Sequence, residues 1–360
     1  MKKILILTVS FGEGHNAAAR GIRDGLARIV PEEQVELHDP FAETYPRFNE
    51  LVRKAYLTLI NRWPRSWGVI YRWLDKKTTV QRDLGRFFSP VINRLARLLA
   101  RFQPDVVVSV FPPFPYMLTQ ILGTARSCKS VVVITDSITV NAIWYRADAD
   151  YFLVPNEQSA AVLRNGGIAR ELIKTFGFPV SPKFADLAQD RPTPSEKNRR
   201  VLYVINAGTI RAPELVDKLL GLDINLTVTV GRDEKLRQAI GAAAADRKID
   251  IIGWTDQLPR MLSESHLLIS KAGGAMVQET IAARCPMIIN HIVSGQEEGN
   301  ARLIVETNSG VIALSPDEVV TQVERAFADD ARQWREWEKN ISQLSRPRAS
   351  LDTAEFLLSI

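Results

Sequence analysis

The sequence predicts an α/β protein made of two doubly wound, Rossmann-like parallel-sheet domains, and three observations predict it. Apolar runs of strand length alternate with helix-length runs, the order that builds parallel sheets through crossover helices. The alternation comes in two series. They are divided by Gly177–Arg199, where Pro179, Pro182, Pro192 and Pro194 and a charged run give the composition of a linker. Finally, 360 residues are more than one hydrophobic core commonly organises. The resulting boundaries are a first domain at 1–178, a linker at 179–199, a second domain at 200–340 and a C-terminal helical segment at 341–360 that packs back on the first domain.

In the first series Lys3–Val9 is a buried-strand pattern, followed by the turn Ser10-Phe11-Gly12-Glu13-Gly14-His15 and a helix from Asn16 to about Ile29. Val35–His38, Asp105–Val110, Ser130–Ile134 and Tyr151–Val154 are further short apolar strands, alternating with helical runs such as Tyr116–Ala125 and Gln158–Asn165. The second series places strands at Val201–Ile205, Leu226–Val230, Ile249–Ile252, Leu267–Ile269, Met287–Ile289 and Val311–Ala313. Asp330–Ile360 is helical and broken near Pro347. Ligands of doubly wound sheets bind at the carboxyl ends of the strands, so two such domains are expected to face each other across a binding cleft.

Lys271–Asn300, KAGGAMVQETIAARCPMIINHIVSGQEEGN, carries the clearest chemistry. A strand ends near Lys271, and Gly273-Gly274 let the backbone turn sharply and approach a ligand. The helix that starts near Ala275 offers its first N–H groups and positive dipole end to a diphosphate, through Gly273, Gly274, Ala275 and Met276. Glu279 lies about one turn further on, where a carboxylate accepts both hydroxyls of a ribose. Beyond the next strand, Gln296, Glu297 and Asn300 are residue types that hydrogen-bond sugar hydroxyls. The ordered set reads as a nucleotide-sugar site; a structural βαβ unit with a polar exit loop is the other reading.

Composition narrows the setting. The two cysteines, Cys128 and Cys285, lie far apart and suit a reducing compartment, with no disulfide framework or zinc spacing. Ile4–Val9 is too short for a signal-peptide core, and no apolar stretch is long enough to span a bilayer, so a cytoplasmic protein, soluble or peripheral on the inner face of the cell membrane, is expected. Charge is uneven: residues 47–103 hold 13 Lys/Arg against 3 Asp/Glu, a local balance of +10 in a chain of net +5. That segment also holds Trp63, Trp67 and Trp73, three of the seven tryptophans. Basic residues mixed with interfacial aromatics suit an anionic membrane surface, with Trp63, Arg65, Trp67, Arg72 and Trp73 as membrane or acceptor contacts. Solvated faces of packed helices, or a nucleic-acid patch, are the alternatives, and no nucleic acid is expected.

With both halves read, the chain resembles the monogalactosyldiacylglycerol synthase and processive diacylglycerol glucosyltransferase family. These are inverting glycosyltransferases of the GT-B fold in family 28, distantly similar to the peptidoglycan GlcNAc transferase MurG. Ser10–Ala18 looks like the family pattern S-x-G-x-G-H-x-x-A, and Gly177–Phe184 is similar to its G-x-P-[VI]-x-P-x-F segment. Val230-Gly231-Arg232 resembles a C-G-[RK] turn, and Gly253-Trp254-Thr255-Asp256 resembles G-[FW]-x-D. Lys271–Asn300 resembles K-x-G-G-x-x-x-x-E…N-x-x-x-x-G-Q-E-x-G-N. The chain departs from the pattern at Asn141, near a place where several members have His, and in Asn206-Ala207-Gly208-Thr209, which has fewer glycines than usual. These differences fall mainly outside the donor motif.

The resemblance implies transfer of galactose or glucose from a UDP-sugar to diacylglycerol or a glycosyldiacylglycerol at a membrane, with no metal or other cofactor required. Its donor-binding set comprises Gly12, Gly14, Gly231, Arg232, Trp254, Thr255, Lys271, Gly273, Gly274, Ala275, Met276, Glu279, Gln296, Glu297 and Asn300. His15 and Asp136 are the catalytic candidates; either is the base for the acceptor hydroxyl, and a helix cap is the plain alternative for each. Asp148-Ala149-Asp150 reads as a solvated turn rather than a metal-binding triplet. A UDP-N-acetylglucosamine enzyme of the same fold (lipid GlcNAc transferase or 2-epimerase) is a second reading. A peripheral anionic-lipid-binding protein with an inactive nucleotide site is a third.

Overall fold

The computed structural model describes residues 2–10, 13–45, 88–123, 126–138, 140–187, 193–195, 198–206, 209–245, 247–293 and 297–360. The chain divides into two compact units. One comprises Met1–Pro182, Val293–Gly299 and Arg348–Ile360; the other comprises Lys183–Ile292 and Asn300–Pro347.

The first unit is built on a six-stranded parallel sheet, ordered β2-β1-β3-β4-β5-β6. Its strands are β1 (Ile4–Leu7), β2 (Val35–His38), β3 (Val106–Ser109), β4 (Lys129–Val133), β5 (Tyr151–Leu153) and β6 (Ile173–Lys174). Ile4 is in register with Val35 on one side and Val106 on the other. All four residues of β1 are fully buried, because helices cover both faces of the sheet; this is why the strand reads as an unbroken apolar run rather than an alternation. The covering elements include α1 (Glu13–Leu26), α2 (Pro40–Thr44), α3 (Ser89–Phe102), α4 (Pro113–Leu122) and α5 (Glu157–Asn165). The first helix starts at Glu13, earlier than the expected Asn16, which brings His15 into its first turn. The apolar stripe of α3 (Val91, Ile92, Leu95, Leu98, Leu99, Phe102) is buried, while Arg94 and Arg101 pair with Glu43 and Glu36.

The second unit has its own six-stranded parallel sheet, ordered β12-β11-β10-β7-β8-β9. The strands are β7 (Arg200–Val204), β8 (Asn225–Gly231), β9 (Asp250–Gly253), β10 (Leu267–Lys271), β11 (Met287–His291) and β12 (Gly310–Ile312). Its helical elements are α6 (Lys183–Asp186), α7 (Ala212–Leu219), α8 (Glu234–Ala244), α9 (Leu258–Glu264), α10 (Gly274–Ala282), α11 (Glu298–Glu306) and α12 (Pro316–Leu344). Ser315 and Glu318 form a capping box at the start of α12. This helix is not continuous. Asp329, Asp330 and Ala331 have φ near +50°, a left-handed turn worth about 1–2 kcal/mol of strain per residue. Packing beyond the bend offsets that strain: Trp334 and Trp337 are buried in the core, and Trp334 Nε1 donates to the His266 carbonyl at 2.6 Å.

The chain ends in α13 (Ala349–Ser359), which is grouped with the first unit and packs on α1. The two helices meet through small residues: a Cβ on Gly25 would lie 2.5 Å from the Ser350 carbonyl oxygen. Lys2 Nζ donates to the Leu358 carbonyl at 2.8 Å, and the Phe356 ring meets Tyr151 edge-on at 5.0 Å. Both sheets have a point where the strand order reverses. It falls between β1 and β3 in the first unit and between β10 and β7 in the second, and the loops at such points form binding crevices.

Candidate functional site

In the second unit the reversal point is occupied by the turn from β10 into α10. Gly273 is the N-cap in extended conformation and brings no side-chain cap, so the first amides of α10 are left for a ligand. The turn is braced from behind. Buried Asn300 donates Nδ2 to the Ala272 carbonyl at 3.1 Å and lies 3.6 Å from where a Gly274 Cβ would be. Met276, Val277, Gln278 and Thr280 anchor α10 in the core, while Gly274, Ala275 and Glu279 are half-buried. An uncapped start of this kind, at the positive end of a nine-residue helix, is an arrangement that can hold an anion against backbone N–H groups.

Two further turns border the carboxyl edge of the same sheet. Gly231 ends β8 with φ +60°, a left-handed conformation that favours glycine. A Cβ on Gly253, at the end of β9, would lie 3.3 Å from the Gly231 carbonyl oxygen, so these two strand ends are close neighbours. The Arg232 guanidinium stands 5.5 Å from the centre of the Trp254 ring, a cation–π contact, and Trp254 is 66% exposed. Thr255 Oγ1 accepts from the Gln257 amide at 3.0 Å and shapes the turn. Among the polar residues of the exit loop, Glu297 is buried and closes the loop on itself: Oε2 accepts from the Val293 amide at 3.0 Å, and its own amide donates to the Val293 carbonyl. Gln296 and Gly12 lie outside the described residues. So do Trp63, Arg65, Trp67, Arg72 and Trp73.

In the first unit the reversal point gathers residues that follow β1, β3 and β4. Asp39 fixes the turn after β1, accepting from the Ser10 amide at 2.8 Å and from the Ala42 amide at 2.9 Å as the cap of α2. Gly14, in the first turn of α1, would point a Cβ into open space. Next to it, the His15 ring packs edge-on against Phe111 at 5.4 Å and tilted against Trp144 at 6.0 Å, with Thr135 Oγ1 3.2 Å from Nδ1. This enclosure strips water from the imidazolium and lowers the His15 pKa from 6.5 to about 4, against the opposing pull of a hydrogen bond to the Val110 backbone. The ring is therefore neutral at pH 7. Asp136 follows Thr135, and its Oδ2 accepts from the Trp144 indole at 2.7 Å.

Trp144 and Phe111 were not among the residues the sequence singled out. Both come from loops that only the strand order brings beside His15, and an apolar aromatic has no local signature of such a role. Asn141, the departure from the family pattern, caps the 3₁₀ turn that carries Trp144 by accepting from the Ile143 amide at 2.9 Å. Asp148 and Asp150 are taken up by Arg126 at 2.9 and 3.5 Å, and Asp150 also accepts from the Ser130 amide. Among the described residues no group of three or more His, Cys, Asp or Glu side chains is placed to hold a metal ion.

Comparison with known proteins shows a likeness of family and of fold. The model described as monogalactosyldiacylglycerol (MGDG) synthase matches residues 15–180, and that of the glycosyltransferase family 28 C-terminal domain matches residues 205–348. A probable monogalactosyldiacylglycerol synthase of Glycine max is 26% identical over 97% of this chain and 69% of its own length. A processive diacylglycerol beta-glucosyltransferase of Bacillus subtilis is 24% identical over 97% of this chain and 93% of its own. Among solved structures, MurG of Acinetobacter baumannii superposes with a TM-score of 0.63 at 12% identity, covering 99% of this chain and all of that one, a likeness of fold. The expected GT-B architecture is borne out.

Proposed function

The chain belongs to the monogalactosyldiacylglycerol synthase family of family 28 glycosyltransferases, and on that premise we propose that it transfers galactose or glucose from a UDP-sugar, with inversion, to diacylglycerol or a glycosyldiacylglycerol. The observation that carries the donor half is the uncapped β10–Gly273–Gly274–α10 turn, held rigid by Asn300. Diphosphate charge, which grows as the sugar leaves, is met by the amides of Gly274, Ala275 and Met276 and by the helix dipole. Glu279 takes the ribose hydroxyls, and Lys271 supplies positive charge at the strand end. Gly231, Arg232, Trp254 and Thr255 form the border for the base. Gln296, Glu297 and Asn300 serve the sugar side.

On the acceptor side, a base must remove the proton of the attacking hydroxyl as the new bond forms. His15, neutral at working pH, or the Asp136 carboxylate performs this step. The enzyme works on a membrane surface, peripherally on the inner face of the cell membrane. This reading draws on the charge of residues 47–103 and on a lipid acceptor that stays in the bilayer. Among the described residues no helix is long and apolar enough to cross a membrane. Because Arg94 and Arg101 are committed to ion pairs, the membrane contact rests on the other basic residues of the segment.

The test is mass spectrometry of lipids formed when the protein is given diacylglycerol vesicles and UDP-glucose, UDP-galactose or UDP-N-acetylglucosamine in turn. A hexosyl-diacylglycerol from one of the first two donors is expected. An epimerised UDP-sugar without lipid, or vesicle binding with no turnover of any donor, would overturn the proposal.

A further inference from the structure

The bond between Trp144 and Asp136 goes further than the family reading. A buried indole needs an acceptor for its N–H, and many find a backbone carbonyl. Trp144 instead gives its one donor to a carboxylate at the carboxyl end of β4, at 2.7 Å, the short end of the range for a charge-assisted bond. Both partners are fixed from behind. Trp144 is 2% exposed, and the turn that carries it is held by Asn141 and by Tyr116, whose hydroxyl donates to the Ile143 carbonyl at 2.9 Å. The strand exit that carries Asp136 is held by Ser159, whose Oγ donates to the Ser137 carbonyl at 2.9 Å. The same indole also touches the His15 ring. One rigid side chain therefore contacts both residues to which the reaction is assigned.

We propose that Trp144 is a positioning residue for transfer: its indole N–H pins Asp136 Oδ2, setting the plane of the carboxylate and the direction in which Oδ1 presents, while its ring walls the His15 imidazole. The inference rests on the reading of Asp136 and His15 as the reaction-centre pair. An indole N–H donates and cannot accept, so it stabilises the carboxylate anion more than its protonated form. It also displaces water from that face of the carboxylate without adding a group that titrates.

Trp144→Phe keeps most of the ring and removes the donor. With diacylglycerol vesicles and whichever of UDP-glucose or UDP-galactose turns over, kcat should fall about tenfold or more, with KM for the UDP-sugar changed by less than about twofold. The acid limb of the kcat/KM profile should move to higher pH, because the carboxylate loses a bond that favours its charged form. A role confined to packing would leave that limb in place. An unmoved limb, or a KM that rises while kcat holds, overturns the proposal.

A second measurement does not depend on turnover. The Trp144 indole N–H proton resonance, identified by its loss in Trp144→Phe, should lie downfield, follow the ionisation of Asp136 as pH is lowered, and shift upfield in Asp136→Ala. If the protein transfers no sugar the functional reading fails, and this resonance still decides whether the bond exists. A resonance indifferent to Asp136→Ala rules it out.

Discussion

The burial of His15 makes a prediction about stability that catalysis does not enter. The imidazole titrates at 6.5 in an unfolded chain and at about 4 in the folded one. Above pH 6.5 neither state binds the proton, and the ring has no effect on the pH dependence. Between 6.5 and 4 the unfolded chain takes up a proton that the folded chain refuses, so stability falls as pH is lowered through that window. From the two values the loss is about 2 kcal/mol at pH 5 and about 3 kcal/mol at pH 4, upper figures that solvent reaching the half-buried ring reduces. His15→Gln removes the titration and leaves a side chain that still hydrogen-bonds. Urea unfolding of both proteins from pH 7.5 to 4.5, followed by tryptophan fluorescence, gives the difference directly, because the carboxylates and the other three histidines are common to both. The gap between the two stability curves should change by about 2 kcal/mol between pH 7 and 5, the wild type losing more. A gap that stays flat over that range would mean the ring is solvated and would refute the reasoning. The same low value predicts that His15 adds no inflection near pH 6.5 to the rate profile of the free enzyme.

Two more predictions come from contacts within each unit. Gly21 on α1 passes so close to the 179–180 backbone that a Cβ would sit 1.9 Å from the Pro179 carbonyl oxygen; Gly21→Ala should therefore cost about 2–3 kcal/mol through forced backbone movement and lower Tm by several degrees in a thermal melt, whereas an unchanged Tm would show that the helix shifts freely. Asn300→Ala leaves the Ala272 carbonyl without its amide donor and loosens the turn proposed to cradle phosphate; calorimetric titration with UDP should show affinity weakened about tenfold, the equivalent of about 1.4 kcal/mol, and an unaltered affinity would remove Asn300 from the proposed donor site.

Much of the fold was legible because its signals are local. Buried parallel strand segments such as Ile4–Leu7 and Leu267–Ile269 need apolar side chains on both faces, and Gly273-Gly274 marks a turn that leads the strand straight into an uncapped helix. The helix break at Asp329–Ala331 was not legible, since nothing in Ala-Asp-Asp-Ala demands left-handed backbone. It is imposed from a distance, by the packing of Trp334 against His266 and of Trp337 in the core. The contacts of Arg232 and Glu297 were not legible from their types: one guanidinium lies on an indole, and one carboxylate accepts from the Val293 amide.

By itself, then, the sequence determined the two-series α/β order, the place of the Gly273-Gly274 turn proposed as the nucleotide cradle, and His15 and Asp136 as polar residues that follow buried strands. Those features depend on residues within a turn or two of each other. What only the tertiary structure decided was which side chains stand beside them: Phe111 and Trp144 around the His15 ring, Trp144 on Asp136, Asn300 behind Gly274. These neighbours come from segments separate in sequence, and they meet because the strand order β2-β1-β3-β4 and β11-β10-β7-β8 sets which strand ends are adjacent. That adjacency is fixed by the packing of the whole sheet, and no short window of sequence carries it.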